Sequence, residues 1–226
     1  MKRALFIASI LPLFFHNHAV AQVSLDIKGQ TSSFNEATRT EVQGDPYLIS
    51  DWTNGSVVLE SNKVINAKLK LDIHAGTVLF QDRNGQALEL TNKFSSIVLN
   101  NTGTGPSDIS PLVFVSGYPA TGSQTDSTIY QLVADGKIKL LKYYKKELSE
   151  HREDTTSVIT SRYRTVKTYF VFKKNRLTQV QPNKKSIFKV LDSHQEQVEN
   201  YFKDTKFNFD SDADLKKIFD WYNGLN

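Results

Sequence analysis

From Tyr47 onward, apolar residues recur at the two-residue period of β-strands. Leu69, Leu71 and Ile73 point one way, while Lys68, Lys70 and Asp72 point the other. Val57 and Leu59 alternate after an Asn54-Gly55 pair that reads as a turn. His74-Ala75-Gly76 and Asp82-Arg83-Asn84-Gly85 read as turns into Val78-Leu79-Phe80 and into Leu88 and Leu90. Residues 94–99 and 112–115 are two further apolar runs of strand length. Asp135-Gly136 joins residues 129–134 to a long strand over 138–148, and Lys174-Asn175 joins 164–172 to 177–181. Roughly ten strands linked by short turns predict an antiparallel meander, built as a curved sheet, half-barrel or sandwich.

After Pro182 the period lengthens to that of a helix. Asn183 is placed to cap a short helix carrying Ile187, Phe188 and Leu191. Ser193-His194-Gln195-Glu196 fits a capping box ahead of Val198, Tyr201 and Phe202. Asp210 or Ser211 starts a last helix with Leu215, Ile218, Phe219 and Tyr222 along one face, and Gly224 ends it. Helices this short are not stable alone, so they are expected to pack on the sheet. The fold class is β-rich α+β, with a β-domain over 45–182 and a short C-terminal helical tail over 183–226.

The N-terminus changes where this fold is expected to work. Lys2-Arg3, an apolar run over residues 4–15 and Ala19-Val20-Ala21 make up the three parts of a secretory signal peptide, cleaved after Ala21. The apolar run is shorter than the ~20 residues that a membrane span needs. Residues 22–44 follow as a polar segment, read as a linker or as an early strand that packs late. The expected product is a soluble periplasmic or extracellular protein with no transmembrane segment. There is no cysteine among the 226 residues, and the only methionine is Met1. Disulfide scaffolds, zinc fingers, iron–sulfur centres, type 1 copper sites and cysteine nucleophiles are thereby excluded. Export also argues against nucleotide cofactors, and no cofactor is expected.

No catalytic or metal-binding constellation stands out. His74, His151 and His194 lack metal-ligand spacing and read as solvated. Asp192-Ser193-His194 is no triad, because adjacent side chains diverge where a triad must converge. The acidic run from Asn208 to Asp214 departs from a calcium loop, with Leu215 where glycine is needed and Trp221 where glutamate is. Gly103-Thr104-Gly105-Pro106 lacks the Gly-Lys-Ser/Thr of a phosphate loop. It reads, with residues 117–128, as one of two long loops; these, with Tyr118, form either a ligand-binding rim or spacers.

Charge distribution is more informative than the overall +4. Residues 137–189 hold fifteen Lys/Arg against four acids, a net +11 flanked by acidic stretches. Lys139, Lys142, Lys145, Lys146, Arg162, Arg164, Lys167, Lys173 and Lys174 are the candidate contacts to an anionic envelope component, a glycan or an acidic protein. The competing reading is that lysines line strand edges and block aggregation. No nucleic-acid motif is present.

Gly44-Asp45-Pro46-Tyr47-Leu48, Trp52 and Gly55 to Leu59 resemble the opening of uncharacterised exported proteins of Bacteroidetes-type bacteria. Gly136 to Lys142, Tyr169-Phe170-Val171, Lys184 to Ile187 and the ending from Tyr201 to Asn223 are similar too. The resemblance spans residues 44–226 and implies no known activity, cofactor or catalytic residue. In such bacteria Asp126-Ser127-Thr128 and Asp154-Thr155-Thr156 also resemble O-glycosylation acceptors. The sequence thus reads as an exported, non-catalytic protein that binds a ligand or partner. The alternative is a glycan-acting hydrolase whose two carboxylates lie far apart in the chain.

Overall fold

The computed structural model describes residues 42–100, 105–152 and 159–225, so the stretch read as a signal peptide and most of the polar segment lie outside the described residues. Eleven strands form one sheet: β1 (Val42–Gln43), β2 (Thr53–Leu59), β3 (Val64–Asp72), β4 (Thr77–Gln81), β5 (Ala87–Glu89), β6 (Phe94–Leu99), β7 (Leu112–Val115), β8 (Tyr130–Ala134), β9 (Lys139–Arg152), β10 (Ile159–Lys173) and β11 (Arg176–Val180). Three helices follow, α1 (Lys184–Val190), α2 (Gln195–Asp204) and α3 (Asp212–Asn223). The order across the sheet is β5-β4-β3-β2-β6-β7-β8-β9-β10, with β1 and β11 both pairing the outer edge of β10. Every pairing is antiparallel except the two-residue contact between β1 and β10. The architecture is the curved antiparallel sheet with a C-terminal helical tail that the alternation predicts.

The curl follows from chain length. The Leu90 amide still bonds β4 at Val78 (2.8 Å), whereas the Lys93 carbonyl accepts from Glu60 at the end of β2 (3.3 Å). Three residue steps reach ~11 Å at most. Crossing the same four strand spacings on a flat sheet would take ~19 Å. Only a strongly curled sheet brings these points together. Gly55 sits at the tightest place, inside β2 opposite Ala67 and Leu99. A Cβ there would lie 2.3 Å from the Val98 carbonyl oxygen and 3.0 Å from the Leu69 side chain. Asn54-Gly55 is therefore not the turn its sequence resembles; the glycine serves close approach of two backbones.

The curl also brings β9 against the β3–β4 turn, forming a seam. There the Lys146 amide donates to the Ile73 carbonyl (3.0 Å), and the His74 ring meets the Lys146 carbonyl (2.9 Å) and stands edge-on to Tyr163. Residues 42–48 strap the seam. β1 pairs with Ser161 and Arg162, Asp45 receives Lys146, and Tyr47 and Leu48 bond the end of β3. Val42 and Gln43 thus pair with a strand more than a hundred residues downstream.

The concave face holds two cores. Under the curl lie Val57, Leu69, Leu71, Phe80, Ile97, Leu99, Phe114 and Tyr144. Beyond them, Leu140, Val171 and Val180 are covered by Ile187, Val198, Leu215, Ile218 and Phe219 of the helices. Tyr201 and Trp221 stack face to face at 3.9 Å and join the helices at their outer side. On the convex face Tyr130, Leu141, Phe170 and Leu177 form a smaller cluster, on which Tyr118 packs edge-on (5.8 Å to Tyr130, 4.9 Å to Phe172).

Two local expectations are corrected. Asn183 and Ser211 cap α1 and α3 as their sequences predict. The capping box before α2 does not form: His194 is the N-cap, in the left-handed region (φ 56°), with no side-chain bond. Ser193 is engaged instead with the Tyr222 hydroxyl through its amide and its own hydroxyl. β9 and β10 also run beyond their apolar stretches, because their ladder continues in unbroken register through polar residues to Ile159 and Arg152.

Gly55→Ala tests the close approach. It is expected to destabilise the fold by ~1–3 kcal/mol through overpacking. Thermal denaturation monitored by circular dichroism reads this, and an unchanged midpoint would contradict the account.

Candidate functional site

Two hollows on the concave side hold the candidate chemistry. The first is a polar cleft of about 520 Å³ between the 105–108 loop, the middle of β9 and β10, and the lead-in to α3. Its floor is a buried network centred on Asp212, the first residue of α3, which is 1% exposed. One Asp212 oxygen accepts from the Lys142 ammonium (2.6 Å) and the Ser107 hydroxyl, and the other from the Tyr169 hydroxyl (2.8 Å). Tyr144 donates to Gln131 (2.6 Å), and the Gln131 amide donates to Ser107 (3.1 Å). Lys142, 2% exposed, also lies over the Tyr144 and Tyr169 rings at 5.0 and 5.4 Å. The network is possible because Gln131, Lys142 and Tyr169 are register partners on neighbouring strands and share one face.

Burial acts on each of these groups. It pulls the Lys142 ammonium below the ordinary lysine range, although Asp212 opposes it. Tyr144 and Tyr169 are pushed up, first by burial and then by the Asp212 charge. At the rim, burial would raise Asp108, but bonds from the Ser211 hydroxyl (2.5 Å) and the Ala213 amide (3.0 Å) outweigh it and hold the carboxyl low. Asp108 and Asp212 are the kind of carboxylates, distant in sequence, that the hydrolase alternative requires. Here Asp108 secures the start of α3, and Asp212 is taken up by Lys142, Tyr169 and Ser107. Asp45, Asp135 and Asp192 are likewise held below the usual carboxylate range, at Asp45 because hydrogen bonds from Ser50 and Tyr47 outweigh burial, and at the other two by lysines.

The second hollow is a cavity of about 280 Å³ at the seam. It is lined by Leu71, Ile73, Phe114 and Ile129, by Tyr143 and Tyr144 and by Thr77, Thr125, Ser127 and Thr128. Asp72 also lines it, with one carboxylate oxygen accepting from the His74 (3.0 Å) and Ala75 (2.8 Å) amides. No lysine, arginine or histidine among the described residues lines it. The 117–128 loop thus contributes to a cavity wall, through Thr125, Ser127 and Thr128 and not through Tyr118. Ser127 belongs to the first O-glycosylation-like triplet; the second, 154–156, lies outside the described residues.

The nine candidate cations are divided between both faces of the β9–β10 ribbon. By register, Lys142, Lys146, Lys167 and Lys173 share the concave face with Tyr169, while Lys139, Lys145, Arg162 and Arg164 share the convex one. Lys139 pairs with Asp135, Lys145 and Arg164 with Glu147 (3.5 and 3.2 Å), Lys146 with Asp45 (3.2 Å) and Lys173 with Asp192. Arg162 is held by the Gln43 side chain (2.8 Å). Lys142 is buried in the network, Lys167 lines the polar cleft, and Lys174 is exposed at the β10–β11 turn. Sequence reasoning missed Asp212 as a buried centre. The legible signal was Lys142 itself, which alternates in phase with Leu140 and Tyr144 and so falls on the buried side of its strand.

Asp212→Ala would leave the Lys142 ammonium buried without its counter-charge, at an expected cost of ~3–5 kcal/mol. Adding Lys142→Met should recover much of that loss in urea denaturation. A cost no larger than that of the exposed Asp210→Ala would refute the assignment. Alkaline pH tests the tyrosines, since burial pushes Tyr118 and Tyr130 up to about 12. Phenols raised in the fold contribute fully below the unfolded value, about pH 10, and lose that contribution as pH climbs through the native values. Lys142 acts in the opposite sense, its burial penalty easing as pH rises towards the ordinary lysine value. Phenolate absorbance is expected to rise in two phases, the later coinciding with loss of the fold. A single phase with the fold intact would contradict this.

No protein-family model matches the chain, and neither a curated protein nor a solved structure does.

Proposed function

We propose that the chain is an exported, non-catalytic binding protein, and that its β-domain holds a small uncharged ligand in the seam cavity. The chemistry of the lining carries this reading. Aliphatic and aromatic walls with a few hydroxyls suit a compact apolar body bearing one or two polar groups. The volume, about 280 Å³, stands at the lower end of small-molecule sites. Export rests on the signal-like N-terminus and on the resemblance to exported proteins. Against the glycan-acting hydrolase stands the engagement of Asp108 and Asp212 in capping and ion pairing.

Among the described residues no helix is long and apolar enough to cross a membrane. Thr125 and Ser127 line the cavity and are exposed, so a ligand would enter past this loop.

The neutral fluorophore N-phenyl-1-naphthylamine is a suitable probe, because its size matches the cavity and it carries no charge. Saturable fluorescence enhancement is expected with the wild type. Ser127→Trp, on the exposed part of the wall, should weaken it by about tenfold or more without lowering the melting temperature. Equal enhancement by both proteins, or none by the wild type, would remove the seam cavity as the site.

A further inference from the structure

A third hollow, of about 460 Å³, lies between the β10–β11 hairpin and α1 and shares no residue with the other two. Its floor is formed by three valines, Val171, Val180 and Val190. Its walls carry Lys173, Lys174, Arg176 and Lys189 against a single acid, Asp192. Lys173 is paired with Asp192; Lys174, Arg176 and Lys189 are exposed and have no ion-pair partner among the described residues.

Three features distinguish this group from ordinary solvated lysines. Lys173 and Arg176 are direct cross-strand partners on the helix-covered face, a like-charge arrangement that repels. The turn between them places Lys174 in the left-handed region (φ 50°), where a lysine is an unfavourable occupant beside the more tolerant Asn175 (φ 59°). From the opposite wall, Ser186 accepts the Gln181 amide (3.0 Å) through its hydroxyl oxygen, which leaves the hydroxyl proton to donate into the hollow. The repulsion gathered around this concave space is relieved by one anion of high charge.

We propose that this hollow binds a phosphomonoester borne by a small polar molecule. A dianion matches three unpaired cations, the Arg176 fork suits a phosphate's paired oxygens, and Ser186 supplies a neutral donor. The concavity favours a compact ligand that enters over a flat charged surface that docks. The site is independent of the seam cavity, so either reading stands if the other fails.

Calorimetric titration of the purified protein with glucose 6-phosphate, with glucose as the uncharged control, tests this. Saturable binding of the phosphate ester and none of glucose is expected. The double variant Arg176→Gln/Lys189→Gln should weaken binding about tenfold or more. It should melt no lower than the wild type, because it removes like-charge repulsion. Absence of glucose 6-phosphate binding, or undiminished binding by the variant, would overturn the proposal. Binding to phosphatidate-containing vesicles with none to glucose 6-phosphate would overturn it in favour of a membrane-docking face.

Discussion

The ion pair between Lys142 and Asp212 is the constraint on which the rest of the concave face depends. It stands at the border between the core under the curl and the core under the helices. Buried ion pairs add little net stability, because desolvation of both charges offsets their attraction. What this one determines is register. Sliding β9 by one residue would turn Lys142 to the convex face and leave Asp212, Tyr169 and Ser107 without their shared centre. The same slip would turn Leu140 and Tyr144 out of the two cores, so charge and apolar pattern fix the register together.

The same ribbon explains why the positive segment does not form one patch. Strand alternation sends successive cations to opposite faces; on the convex side Lys139, Lys145 and Arg164 pair with Asp135 and Glu147 close by, and on the concave side acids come from distant parts of the chain. Asp45 arrives from the strap, Asp212 from α3 and Asp192 from the link after α1. The acidic flanks on either side of the basic segment are therefore partners within the fold. Around α1 this compensation falls short, with one acid set among four cations.

The alternation of apolar residues sufficed for the number and order of most strands, for the turns at Gly76, Gly85 and Asn175, and for the helical tail. It did not convey what depends on meetings across the sheet. Gly55 carries the local signature of a turn, yet its role comes from the carbonyl of Val98 on the neighbouring strand. Ser193 carries the signature of a cap, yet Tyr222 from another helix claims it. Lys142 was legible as a cation on the wrong side of its strand, whereas its partner, seventy residues away, looked like an ordinary acidic helix start. The seam cavity had no sequence signal beyond the long loop that walls it, because its lining comes from four separate stretches.

The separation in sequence between the network's members has a consequence for the order in which the molecule can be completed. Ser107 and Asp212 are 105 residues apart, and Lys146 and Asp45 are 101. Loops of that length close late, after nearer contacts have formed. Strand β9 thus carries an uncompensated ammonium on its inner face until the last helix docks. A chain that extends only as far as α2 holds a sheet whose concave face still prefers water at β9. The interior therefore does not seal until the final stretch of chain is present to seal it.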